Sequence, residues 1–130
     1  MDQAESKLNI LLVDDEFMVL ELASEILTYL GHKVFIANSG FDGLKLFKEN
    51  QNKINLIIVD LLMPEMNGKE FYEKIREIDA NVPIIISTGI SEAKEKEALK
   101  NLDVLDFLEK PYTVPQLEAV INRISKPASG

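Results

Sequence analysis

Four groups of polar residues carry the types that metal and phosphoryl chemistry use, and each closes a short apolar run. Asp14-Asp15 follows Leu8-Asn9-Ile10-Leu11-Leu12-Val13, and Asp60 follows Leu56-Ile57-Ile58-Val59. Ser87-Thr88-Gly89 follows Pro83-Ile84-Ile85-Ile86, and Glu109-Lys110-Pro111 ends a shorter run from Leu105. If these runs are strands of one parallel sheet, their carboxyl ends meet on a common rim, where such sheets bind ligands. Three carboxylates, a hydroxyl and one ammonium then converge. Two like charges about 4 Å apart repel by roughly 4 kcal/mol at an effective dielectric near 20, and Lys110 alone does not balance three carboxylates. A hard divalent cation with oxygen ligands completes the neutralisation, and Mg²⁺ suits a site with few carboxylates and several waters, with Mn²⁺ as a substitute. The same cluster suits phosphoryl transfer, which needs in-line positioning and neutralised oxygens. Asp60 is placed to be the nucleophile, since a carboxylate attacking phosphorus gives an aspartyl phosphate. Lys110 is placed to hold one phosphoryl oxygen and the Thr88 hydroxyl to donate to another.

The elements that must position these groups alternate along the chain. Strands are expected at 8–13, 33–37, 54–60, 83–87 and 105–109, built on short apolar runs, the first of which reads as buried on both faces. Between them lie amphipathic stretches. Leu20, Ala23, Leu27 and Leu30 recur at helical spacing over 17–30, and Gly31 is a stop signal. Ser39 caps a second helix that carries Leu44 and Phe47 inward. Asn67-Gly68 is a turn signal before a helix over 69–78. A polar Lys/Glu-rich helix is expected over 91–101. Thr113 and Gln116 form a capping box ahead of the stripe Leu117, Val120, Ile121 and Ile124. Strict alternation implies an α/β fold with a five-stranded parallel sheet, doubly wound as (βα)5 in the flavodoxin-like order 2-1-3-4-5. The domain spans 7–125, after a tail at 1–6 and before a linker or chain end at 126–130.

With 130 residues, 46% hydrophobic and 28% charged, the chain has the size and composition of one globular domain. The absence of cysteine excludes disulfides and thiolate chemistry and suits a reducing cytoplasm. A net charge of −8 argues against direct contact with nucleic acid or anionic membrane. The apolar runs are too short to span a bilayer, and the polar residues 1–7 lack a signal-peptide core. His32, the one histidine, reads as a loop or strand-edge residue.

Asp14-Asp15, Asp60 with Met63-Pro64 and Asn67-Gly68, Thr88-Gly89 and Lys110-Pro111 together resemble the signature of the receiver domains of two-component response regulators, in order, spacing and strand position. The resemblance covers about residues 7–125. It implies that Asp60 is the phosphoacceptor, taking phosphate from a histidine kinase or a histidine phosphotransfer protein. Asp14, Asp15, Asp60 and the backbone carbonyl of Leu62 would hold Mg²⁺. Thr88 matches the switch hydroxyl, Phe107 the switch aromatic and Lys110 the phosphate-binding lysine, with a cis bond before Pro111. The fourth helix (91–101), the fifth strand and the fifth helix would report the change. Phosphorylation adds about −1.5 to −2 charge and three acceptor oxygens, and Thr88 gains a partner only in that state.

Leu62 and Ile90 are apolar where many members of that family are polar, and they are expected to lengthen the phosphoryl lifetime. Alone, each residue has a plainer reading: Asp14-Asp15 as a solvated turn, Lys110 as a surface lysine, Phe107 as simple core. Only joint placement overturns these. A Mg²⁺-dependent phosphohydrolase with an aspartyl nucleophile is the alternative, disfavoured because no general acid is evident. A flavin or nucleotide site is disfavoured because the loop after the first strand, Asp14-Asp15-Glu16, is acidic and has no Gly-rich cradle. Catalysis is expected only of the chain's own phosphorylation and dephosphorylation. The kinase, the output and whether the receiver stands alone or belongs to a hybrid kinase or multidomain regulator are open.

Overall fold

The structure, a computed structural model, describes residues 7–89, 97 and 99–125. Five strands pair in parallel: β1 (Asn9–Val13), β2 (Lys33–Ala37), β3 (Leu56–Asp60), β4 (Ile84–Thr88) and β5 (Asp106–Glu109). Their order is β2-β1-β3-β4-β5, with β2 and β5 at the edges. Four helices are described: α1 (Phe17–Tyr29), α2 (Gly40–Glu49), α3 (Gly68–Ile78) and α4 (Val114–Ser125). This is the doubly wound, flavodoxin-like arrangement expected from the alternation. The helix expected over 91–101 falls largely outside the described residues, as do Ile90 and the segments 1–6 and 126–130.

Each central strand is apolar along most of its length because both of its faces are covered. Leu11, Val13, Ile57, Val59, Ile84 and Ile86 pack with Phe47 of α2 and Phe71 and Ile75 of α3. Their neighbours Ile10, Leu12, Ile58 and Ile85 turn the other way, onto Leu20, Ala23 and Leu27 of α1 and Leu117, Val120 and Ile121 of α4. Period-two alternation in the strands thus feeds two cores. Phe47 and Phe71 are fully buried, each contributing on the order of 1.5–3 kcal/mol by leaving water.

The helix starts are set by side chains. Ser39 Oγ accepts the Asp42 N–H at 3.1 Å and begins α2. Thr113 and Gln116 form the box ahead of α4: the Thr113 N–H donates to Gln116 Oε1, and the Gln116 N–H to Thr113 Oγ1. Asn67 caps α3 reciprocally with Glu70, so Gly68 is the first helical residue and not part of a separate turn. Gly68 also lies so close to β3 that a Cβ there would sit 2.6 Å from the Asp60 carbonyl oxygen. No larger residue fits without moving the strand that carries Asp60.

Candidate functional site

Parallel register brings the strand ends level. Asp60 stands opposite Ser87, and Thr88 opposite Glu109. Asp14 follows β1, its N–H donating to the Ala37 carbonyl of β2 at 3.1 Å. The Lys110 N–H donates to the Thr88 carbonyl at 2.7 Å, which ties the loop after β5 to the end of β4. Lys110-Pro111 is a cis peptide bond.

The side chains of Asp14, Asp15 and Asp60 each offer a carboxylate oxygen, and these oxygens lie within 4.8 Å of one another. Asp14 and Asp60 are buried and Asp15 is exposed. Lys110 reaches the same group from the loop after β5. Its Nζ is 3.1 Å from Asp60 Oδ1, 3.3 Å from Asp14 Oδ2 and 2.7 Å from Glu16 Oε1. Burial raises the Asp14 carboxyl above its ordinary pKa, against the Glu16 N–H and the Lys110 ammonium, which pull it down. Burial alone would lower Lys110. The Glu16 hydrogen bond and the charges of Asp14 and Asp60 outweigh it and hold the ammonium above its ordinary value, so it stays charged.

Thr88 is buried at the end of β4. Phe107 is half-buried against the α2/α3-side core. Leu62 projects from the loop after β3, 48% exposed, while its neighbour Leu61 is buried. The structure therefore gathers Asp14, Asp15, Asp60 and Lys110 in one pocket, with Thr88 beside it on the adjoining strand.

Two residues were not singled out from the sequence. Glu16 is the nearest acceptor of Lys110. Its signal was the third acid in a row facing a single lysine. Tyr112 is buried in the α1/α4-side core. Burial raises its phenol above the ordinary pKa, the Ser87 hydroxyl opposes that, and the charges of Asp14, Lys110 and Asp60 also reach it. Its signal was an aromatic residue directly after Lys110-Pro111.

The donor set is all oxygen, with three carboxylates and space for one small hard cation between them, which fits Mg²⁺. A site that joins such a set to a half-buried lysine and an adjacent hydroxyl is equipped to take up a transferred phosphoryl group.

Comparison with known proteins agrees with this arrangement. The profile of the response regulator receiver domain family matches residues 10–122. The chain is similar to the transcriptional regulatory protein CrdR of Helicobacter pylori, at 31% identity over 88% of this chain and 53% of that protein. It is also similar to the transcriptional regulatory protein GlrR of Escherichia coli, at 36% identity over 88% of this chain and 25% of that protein. It thus spans about half or less of the length of these relatives. Among solved structures, a response regulator receiver domain protein from Clostridium thermocellum superposes with a TM-score of 0.85 at 30% identity, covering 91% of this chain and 94% of that one. The chemotaxis protein CheY4 of Vibrio cholerae gives a TM-score of 0.81 at 26% identity, over 91% and 98%. Fold, acidic pocket and sequence match together make this chain a member of the response regulator receiver domain family of two-component signalling.

Proposed function

We propose that this chain receives a phosphoryl group on Asp60 from a phosphohistidine of a histidine kinase or phosphotransfer protein and passes the change to an output partner. The observation that carries this is the Asp60 carboxylate itself. It is buried, grouped with Asp14 and Asp15 and held by Lys110. In the transfer, an Asp60 oxygen bonds to phosphorus, the P–N bond of the donor breaks, and the imidazole leaves with the electron pair. Bound Mg²⁺, held by Asp14, Asp15, Asp60 and the Leu62 carbonyl, would neutralise charge on the phosphoryl oxygens. Lys110 orients one phosphoryl oxygen and Thr88 donates to another.

The product is a two-state switch. Thr88 moves toward the phosphate, Phe107 follows into the space, and the surface of residues 91–101, β5 and α4 changes what it binds. The chain's own catalysis is limited to gaining and losing this group. Its cysteine-free composition and charge of −8 support a cytoplasmic module that contacts protein partners and not nucleic acid. Intact mass after incubation with acetyl phosphate and Mg²⁺ tests the chemistry. One phosphoryl group should be gained by the native chain and none by Asp60→Ala. Equal gain in both forms, or steady turnover of a small phosphate ester, would overturn the reading.

Leu62 sets the lifetime. It stands exposed two residues beyond Asp60, where an apolar side chain gives an attacking water no hydrogen-bond partner. Ile90 is assigned the same role. Phosphate loss should accelerate about 2- to 10-fold in Leu62→Asn, the worth of one hydrogen bond, and in the same direction in Ile90→Glu. Unchanged or slower loss would refute the assignment.

A further inference from the structure

Lys110 does not treat its acceptors alike. Its ammonium is closest to Glu16, at 2.7 Å, against 3.1 Å to Asp60 and 3.3 Å to Asp14. Asp14 and Asp60 belong to the three-carboxylate group, and Glu16 does not. Glu16 occupies the N-cap position of α1, yet its side chain makes no capping hydrogen bond there. Its carboxylate reaches across to the loop after β5 instead. Its backbone N–H donates to Asp14 Oδ1 at 2.9 Å, which fixes the short span between the two acids.

The ammonium and a divalent cation compete for the same oxygens. An ion seated on Asp14, Asp15 and Asp60 displaces Lys110 from Asp14, yet the lysine side chain is only 12% exposed and cannot simply turn to water. A buried ammonium without an acceptor is strongly unfavourable. Glu16 supplies an acceptor just outside the metal group, on a side chain that is itself 59% exposed and free to follow.

Resting on the phosphoryl-transfer reading above, we infer that Glu16 is a positioning residue. It draws the Lys110 ammonium off the cation-binding carboxylates while keeping it in the pocket, and so raises the site's affinity for Mg²⁺. Glu16 acts through Lys110 and contacts neither the metal nor the phosphoryl group.

The test is a double-mutant cycle read by Mg²⁺ titration of backbone amide shifts, in the native chain, Glu16→Gln, Lys110→Met and the double variant. Glu16→Gln should weaken Mg²⁺ about fivefold when Lys110 is present and less than about twofold when it is methionine. Equal weakening in both backgrounds would mean that Glu16 merely adds negative charge near the ion, and would overturn the inference. Unchanged or tighter binding in Glu16→Gln alone would overturn it too. Absence of saturable Mg²⁺ binding in the native chain would overturn the metal-dependent reading along with it, and that curve alone tells the two failures apart. The exposed Glu16 side chain makes no capping bond, so Glu16→Gln should keep the native amide spectrum.

Discussion

At the amino ends of the strands, polar side chains close onto the main chain. The Leu8 N–H donates to His32 Nδ1 at 3.0 Å, and the Asn9 N–H to Asn55 Oδ1 at 2.7 Å. Asn9 Nδ2 donates to the Lys53 carbonyl, and Arg76 to the carbonyls of Val82 and Asp103, each at 2.9 Å. At the carboxyl ends, side chains face one another instead. Asp14, Asp60 and Glu16 all converge on Lys110, with Asp15 close by. Burial drives both ends toward neutrality, lowering His32 and raising Asp14. Only at the amino end do these side chains, Arg76 included, find their partners in main-chain groups. The sheet is thus finished at one end and left short of positive charge at the other. Under the function proposed above, that shortage is what would draw a cation and then a phosphoryl group to the second end.

The comparison is broken most directly at Arg76. Its guanidinium donates to the carbonyls of Asp79, Val82 and Asp103 and stacks 5.2 Å from the Tyr72 ring centre. Tyr72 in turn accepts the Asp103 N–H. Arg76→Ala should cost about 2–4 kcal/mol in urea unfolding, since it strips charge-assisted bonds from several carbonyls. Arg76→Lys should recover little, because an ammonium lacks the planar fork. A cost below about 1 kcal/mol would show that the amino end does not depend on such closure.

The opposite sign is expected at the other end. Asp60→Asn removes one carboxylate but leaves Lys110 with Asp14 and Glu16. In metal-free buffer it should raise stability by about 1–2 kcal/mol, the relief of repulsion at a few ångströms. Saturating Mg²⁺ should shrink that gain by stabilising the native chain more than the variant. A loss of stability in metal-free buffer would mean that the Asp60–Lys110 pair outweighs the repulsion and that the carboxyl end is also balanced.

The two ends were unequally legible in the sequence. Asp14, Asp60, Thr88 and Lys110 each follow an apolar run, so parallel order alone brings them to one rim, and Asp15 comes with its neighbour. The central strands were equally plain, because their buried middles are unbroken apolar runs, whereas β2 and β5 at the edges mix exposed and polar residues into theirs. Arg76 was not legible, since its partner Asp103 is 27 residues away and is touched only through a backbone carbonyl. Asn9 and Asn55 carried no signal for the same reason: side-chain-to-backbone bonds leave no complementary residue type to pair with. Glu16 was visible as charge but not as Lys110's nearest partner, which depends on where the loop after β5 returns. His32 was read as a loop or strand-edge residue. It does precede β2, but it is buried and bonded across to Leu8.

His32 offers the smallest and most specific test of the amino end. Its Nδ1 accepts the Leu8 N–H, so the native ring is neutral with its proton on Nε2. Protonation would turn that acceptor into a donor facing another donor. Burial accordingly lowers the native pKa below 6.5. Between that lowered value and the unfolded value of about 6.5, the unfolded chain binds more protons than the native one. Stability from this group is therefore complete above the unfolded pKa and is lost as pH falls through the window, by at most about 1.4 kcal/mol per pH unit. Carboxylates contribute to the same pH range, but they cancel in a comparison with His32→Gln, whose amide oxygen can still accept the Leu8 N–H without titrating. The native-minus-variant stability should be flat above about pH 7 and should decline below about 6.5. A difference that stays level from pH 8 to pH 5 would place the same charge on the folded and unfolded ring. The His32 ring would then carry a proton against the Leu8 N–H, and closure of the amino end onto the main chain, its contrast with the carboxyl end, would fail.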